Sequence, residues 1–439
     1  MNPKPLDMRQ TSAIIESNRT PSHFKKIEYE RLIFREAMRD FKRTNYLTHS
    51  FFPYPGRFIP QIPRYFIRTY ARNDGIILEP FSGSGCTLVE AKLSGYDSCG
   101  IEINPFGRLL AKVKTTSIEK EKLDQSRVKL FDEIRKFHGQ PLIPEFTNID
   151  YWFDEDVQNE LGMIRQCIDD MSDERIRQFY LVCFAGIIRK CSNSDPQQIK
   201  PAKTKKMRTD MPKPEPTKLF QEKVLDHTDK MIAFNSYMHH ISRESTKVSI
   251  IGDDSRNIKL PKDSVSLIVT SPPFLSAHDY FRTTKFEIFW TGLSDVKTLI
   301  NLDSQLIGGE RVSRRDSNNL HLLNTSGLEQ IDDIIEFIFK IDPSKAYIIY
   351  KYFTEMKKTF QELKRVLEPS GKFCITIGDN VVRKVPIKTH ELIINVANSI
   401  GFGTERVGYD VIKSHALMTK RHNDAAVMDK EWAMVFCKN

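Results

Sequence analysis

Residues 75–102 constrain the fold of this chain more than any other stretch. Gly75-Ile76-Ile77-Leu78-Glu79 is an apolar run of strand length, and Pro80 stops it. Phe81-Ser82-Gly83-Ser84-Gly85 follows, where two glycines let the backbone turn sharply and approach a ligand closely. From Cys86 the pattern is helical, so a helix N-terminus with free N–H groups faces whatever the turn holds. Ser98-Cys99-Gly100-Ile101-Glu102 then reads as a second strand ending in an acid. Strand, turn, helix and strand in this order make a βαβ unit, and its strands run parallel. An acid at the tip of the second strand is placed to accept hydrogen bonds from ribose hydroxyls. No Gly-Lys-Ser/Thr follows, so this is not a Walker loop, nor is it a full Gly-x-Gly-x-x-Gly.

A second strand-to-loop junction lies far along the chain. Val265-Ser266-Leu267-Ile268-Val269 is a short buried strand, and Thr270-Ser271-Pro272-Pro273-Phe274 ends it. Neither proline offers an N–H, each fixes φ, and Pro273 pushes Pro272 toward an extended conformation. The chain is therefore rigid just past a strand's carboxyl end, with the Ser271 hydroxyl and nearby carbonyls free to face a crevice. Open α/β sheets bind ligands there. A rigid row of acceptors followed by an aromatic face suits a planar base with an exocyclic amino group. Upstream, Lys247–Ile251 is another strand, ending in Asp253 and Asp254.

Thr-Ser-Pro-Pro-Phe resembles the catalytic motif of the amino-methylating DNA methyltransferases, which carry Asp, Asn or Ser before Pro-Pro and then Tyr or Phe. A Ser in first position is more similar to the cytosine-N4 branch than to the adenine-N6 branch. Glu79-Pro80-Phe81-Ser82-Gly83-Ser84-Gly85 and Gly100-Ile101-Glu102-Ile103-Asn104-Pro105 are similar to that family's S-adenosylmethionine motifs. Glu79 stands where Asp is usual and Cys86 where Thr is usual. Thr48–Pro60, dense in proline and aromatics, is similar to a segment lining the family's cofactor pocket, with Gly56-Arg57 in place of Ala-Lys.

The resemblance implies a Rossmann-like α/β fold, a mostly parallel sheet with helices on both faces, carrying a helical insertion. It implies catalytic roles for Ser271, Pro272, Pro273 and Phe274. For the cofactor it implies Tyr54, Phe58, Glu79, Phe81, Gly83, Gly85, Thr87, Glu102 and Asp254, with Asp253 as the alternate for the adenine amino group. The implied enzyme is prokaryotic and cytoplasmic, methylates double-stranded DNA, and has a separately encoded restriction endonuclease as its counterpart. Adenine-N6 methylation, RNA base methylation and a non-catalytic DNA-binding role are the competing readings.

Between these motifs the texture changes. Val128, Leu130 and Ile134, then Leu161, Ile164 and Ile168, recur at helical spacing, and Phe179–Ile188 is strongly apolar. Residues 199–218 are basic and proline-rich, either a solvated linker or a contact to DNA phosphates. The expected organisation is a first catalytic segment over 1–118, a helical insertion with a basic linker over 119–245, and a second catalytic segment over 246–439. A helix is expected around Tyr29–Phe41, another over Leu275–Trp290, and a long loop over 294–325. That loop carries Arg311, Arg314, Arg315, Asn318 and Asn319, side-chain types that read base edges. His278, close to the proline pair, reads as a hydrogen-bonded residue rather than a base, because amino-group methylation needs no strong base before transfer.

The net charge of +9 over 439 residues favours a polyanionic partner. No apolar run approaches the ~18–20 residues that span a bilayer, and MNPKPLDMRQ has no apolar signal core. The seven cysteines show no metal-ligand spacing and suit a reducing compartment; no metal is expected.

Overall fold

A computed structural model of the chain describes residues 29–32, 34, 43–72, 74–196, 198, 200–202, 213–275, 280–309, 326–412 and 429–438. The first segment contains β1 (Tyr29–Arg31), α1 (Gln61–Tyr70), β2 (Ile77–Glu79), α2 (Cys86–Ser94), β3 (Ser98–Ile101) and α3 (Pro105–Thr115). Left-handed glycines bound α2 at both ends, Gly85 with φ 77° and Gly95 with φ 82°. The Asn104 side chain starts α3 by accepting from the N–H groups of Phe106 and Gly107, with Pro105 at the first helical position.

Five helices follow: α4 (Lys120–Arg135), the short α5 (Ile149–Trp152), α6 (Glu155–Asp169), α7 (Glu174–Cys191) and α8 (Pro216–His240). Their buried side chains do not form a core of their own. Tyr180, Phe184 and Phe220 share one cluster with Phe51, Phe52 and Tyr54 of the proline-aromatic loop and Phe106 of α3. Pro216 opens α8, so the end of the basic 199–218 stretch is helical; residues 203–212 lie outside the described residues.

The chain then runs through β4 (Val248–Gly252), β5 (Val265–Thr270), α9 (Tyr280–Trp290), α10 (Val296–Ser304), α11 (Glu329–Phe339), α12 (Pro343–Val366), β6 (Leu367–Ile377), β7 (Asn380–Val382), β8 (Val385–Ile387), α13 (Thr389–Ile400), β9 (Phe402–Val411) and β10 (Lys430–Lys438). β7 and β8 form a small hairpin, and the other eight strands one sheet in the order β1-β9-β10-β6-β5-β2-β3-β4. β10 is antiparallel to both β6 and β9; the remaining pairings are parallel. Every residue of β5 is buried, as a central parallel strand covered on both faces must be.

Two expectations are corrected. The stretch from Tyr29 does not begin as a helix: Tyr29–Arg31 pairs in parallel with Val407–Tyr409, and Leu32 N donates to Tyr409 O at 2.7 Å. Past the strand Leu32 and Phe34 are both buried, Phe34 edge-on to Phe66. Nor is 294–325 a loop throughout. Asp295 caps α10 by accepting from Thr298 N at 2.8 Å, and Leu299 and Asp303 turn inward. Residues 310–325, with the three arginines and two asparagines, lie outside the described residues, as does His278.

Candidate active site

From β2 the chain moves outward through β3 to β4 and then returns to β5, on the other side of β2. The order of strands reverses there, so connections leave β2 and β5 in opposite directions and a crevice opens between them. A cavity of about 900 Å³, its mouth included, lies at this point. It is lined by residues 54–58, 79–84, 86–87, 101–104, 253–256 and 305–307, together with Ser271, Pro273 and Tyr280.

Of the residues singled out from sequence, Tyr54, Phe58, Glu79, Phe81, Gly83, Thr87, Glu102, Asp254, Ser271 and Pro273 share this lining. Gly85, Pro272 and Phe274 do not. Gly85 stands behind the wall, where an added Cβ would lie 2.7 Å from the backbone of Ala111 in α3. Pro272 is buried, and Phe274 is half-buried against the core that contains Leu275 and Tyr352.

Two carboxylates shape the cavity floor, Glu79 buried and Glu102 half-buried. Glu102 accepts from Gly83 N at 2.6 Å and from Asn104 N at 2.8 Å, which fixes the glycine turn over the end of β3. Burial raises its pKa, against the pull of those two N–H groups. Glu79 accepts from Phe81 N at 3.0 Å, Thr87 Oγ1 at 2.6 Å and Thr270 Oγ1 at 2.5 Å. Burial outweighs these three donors and pushes its carboxyl up to about 7. Ser255 Oγ donates to Pro80 O, tying the end of β4 to the same turn.

Asp254, expected to meet the cofactor's adenine amino group, is already engaged. Arg256 Nε reaches its Oδ1 at 2.8 Å and Arg256 Nη2 its Oδ2 at 3.1 Å, and the Arg256 N–H adds a third bond at 2.9 Å. Arg256 also donates to Glu355 of α12 and to Gln305 O, so this corner braces the wall formed by residues 305–307. Asp253 lines the cavity beside it.

A second polar layer supports the turn from behind. Glu90 of α2 is buried and meets Arg64 Nε, Tyr46 Oη and His49 Nε2, the last at 2.7 Å. Burial alone would raise the Glu90 carboxyl; His49 and Arg64 reverse that and hold it ionised below the usual range. His49 is pushed down to about 4 by burial and stays neutral. It donates from Nε2 and leaves Nδ1 toward the Cys86 thiol at 3.7 Å. Lys114, fully buried, donates to Ser84 O at 2.8 Å, and burial lowers its ammonium to about 8.

Sequence reasoning gives no site role to Lys114, Tyr280 or Arg256, and places residues 305–307 only within the 294–325 loop. Lys114 did leave a signal, since it falls on the same helical face as Gly107 and Leu110. For Gln305–Ile307 the signal is tertiary and nothing local reports it. Asn380, the first residue of β7, donates to Leu275 O at 2.9 Å just past the proline loop, and the sequence marks it only as following a strand.

The sequence matches known proteins across these elements. Residues 13–112 match the N6_N4_Mtase family model, described as DNA methylase. The type II methyltransferase M.MvaI of Kocuria varians is 28% identical over 371 residues, covering 80% of this chain and 81% of that protein. M.MjaII of Methanocaldococcus jannaschii is 35% identical over 102 residues, 23% of this chain and 19% of its own. M.BsoBI of Geobacillus stearothermophilus is 22% identical over 449 residues, with 88% and 83% covered. The glycine turn and the proline loop face one crevice, and these matches, the family model over the segment that carries the glycine turn and M.MvaI over most of the chain, support an amino-methyltransferase (N6/N4) family for this chain.

Proposed function

We propose that the chain transfers a methyl group from S-adenosylmethionine to the exocyclic N4 amino group of cytosine in double-stranded DNA, as the modification partner of a separately encoded restriction endonuclease. One observation carries the reading: Gly83 and Ser84 of the glycine turn and Ser271 and Pro273 of the proline loop line a single cavity at the switch point. The donor set fits an adenosyl cofactor, with Glu102 at the tip of β3 for ribose hydroxyls, Phe81 and Tyr54 as flat walls, and Asp253 free of the Asp254–Arg256 pairing. Gly107 keeps the site open, since a Cβ there would fall 2.9 Å from Glu102 Cγ and 3.1 Å from Tyr54 Oη.

The cofactor, when bound, supplies a methyl group made electrophilic by a sulfonium. The protein must then make a poor nucleophile better. An exocyclic amino nitrogen delocalises its lone pair into the ring. Ser271 Oγ and the Pro272 carbonyl accept its two hydrogens, draw the nitrogen toward tetrahedral geometry and localise that lone pair. The positive charge that develops on nitrogen is stabilised by the same fixed dipoles, and holding the reactants in line removes much of the remaining barrier. The resemblance assigns base stacking to Phe274, whose ring in this structure rests against the neighbouring core. In a duplex the amino group is shielded, so the base is flipped out before it reaches the crevice. The serine in first position favours cytosine.

The test is nucleoside analysis of DNA incubated with the purified chain and S-adenosylmethionine. N4-methylcytosine is expected. N6-methyladenine would overturn the choice of base, and unmodified DNA the whole reading. Ser271→Ala is expected to lower transfer by about a hundredfold or more while cofactor affinity stays within a fewfold.

A further inference from the structure

The proline loop is anchored at its entrance by the last residue of the neighbouring strand β2. Thr270, the last residue of β5 and fully buried, donates its hydroxyl to Glu79 Oε1 at 2.5 Å. The same oxygen accepts the N–H of Phe81 at 3.0 Å, and Oε2 accepts Thr87 Oγ1 at 2.6 Å. Two segments 191 residues apart in sequence therefore hang on one carboxylate oxygen. At the exit, Asn380 Nδ2 holds Leu275 O at 2.9 Å, and Thr389 Oγ1 orients the Asn380 amide at 3.0 Å. Ser271 begins where the Glu79 anchor ends.

We propose that Glu79 is a positioning residue for the target-base loop: through Thr270 it sets the distance between the acceptors that grip the base and the turn that grips the methyl donor. The inference rests on the methyltransferase reading above and deepens it. Three donors on its two oxygens, reaching it from the glycine turn, the first turn of α2 and the end of β5, make Glu79 a fixed strut. The extra methylene of Glu over Asp carries that carboxylate toward β5. In-line transfer tolerates little error, because a misplacement of about 1 Å costs on the order of a hundredfold in rate.

Thr270→Val removes the hydroxyl and keeps the volume; Thr270→Ser keeps the hydroxyl. The measurements are single-turnover methyl transfer, kcat and KM on DNA, cofactor affinity by calorimetry, and thermal melting of each variant. Thr270→Val is expected to slow transfer by roughly 10- to 100-fold with cofactor affinity within about threefold of wild type, and Thr270→Ser to regain most of the rate. Wild-type turnover in Thr270→Val overturns the inference, as does a loss of cofactor affinity equal to the loss of rate, or a Thr270→Ser as slow as Thr270→Val. Should Thr270→Val not fold, Glu79→Gln carries the same test: a fall in kcat exceeding the fall in cofactor affinity supports the strut, and an unchanged kcat overturns it. A wild-type chain that methylates no DNA sinks the underlying reading; an active wild type with an equally active Thr270→Val sinks only the strut.

Discussion

Burial, opposed by hydrogen bonds from Thr270, Thr87 and Phe81, holds the Glu79 carboxyl up at about 7, against an ordinary value of 4.5. Between those two values the folded chain keeps a proton that the unfolded chain has released. Stability therefore falls as pH rises through this window, and the cost of an ionised, buried carboxylate is complete above it. Glu79→Gln removes the titration. The melting temperature of the variant minus that of wild type should thus be near zero at pH 5 and climb by pH 8; a difference that stays flat would refute the assignment. Lys114 acts on the backbone of the same turn. Replacing it by Met leaves Ser84 O without its charged donor, a loss of about 1.5–3 kcal/mol for such a bond, and should weaken cofactor binding by about tenfold or more in a direct titration. At this scale the sequence was legible where chemistry is local. Glu79, Glu102, Ser271 and Asp254 can be named from their motifs, whereas the pairing of Asp254 with Arg256, two residues on, is visible only in the structure.

Among the elements, the turn at 82–85 separates two kinds of glycine. Gly83 and Gly85 both have positive φ, 50° and 77°, so each substitution by Ala bears the left-handed penalty of about 1–2 kcal/mol. A Cβ at Gly83 would meet only Tyr54 Cε1 at 3.6 Å, an ordinary contact. At Gly85 it would sit 2.7 Å from both Cα and Cβ of Ala111, which forces α2 and α3 apart and adds about 1–3 kcal/mol of overpacking. Gly85→Ala should therefore destabilise clearly more than Gly83→Ala in denaturant unfolding, and equal midpoints would refute this. Strands and helices with strong periodicity, such as β5 and α7, could be read directly. β1 could not, because a three-residue strand exists only by virtue of the free edge that β9 offers it. α10 was hidden by the glycines and arginines that follow it, although Asp295 is a good cap.

For the whole molecule, the alternation of strands and helices gave a mostly parallel sheet, and the chain order of its motifs gave a shared crevice. The relation of the helical insertion to the rest was not readable, since periodicity reports that a face is apolar but not what covers it. The insertion's Tyr180 and Phe184 share a core with Tyr54, which lines the cavity. Excising residues 120–240 should then leave a chain without a cooperative melting transition, whereas a separable insertion would leave a folded remainder that still binds cofactor. One feature of the sheet reaches beyond the finished molecule. β10, the last strand in chain order, lies between β6 and β9, and β1, the first, rests on β9. A ribosome making this protein therefore exposes the β6 edge throughout the synthesis of α13 and β9, and can fill the gap only when β10 has left the exit tunnel. Until then the nascent chain presents a bare, apolar strand edge of the kind that recruits chaperones or pairs with a neighbour.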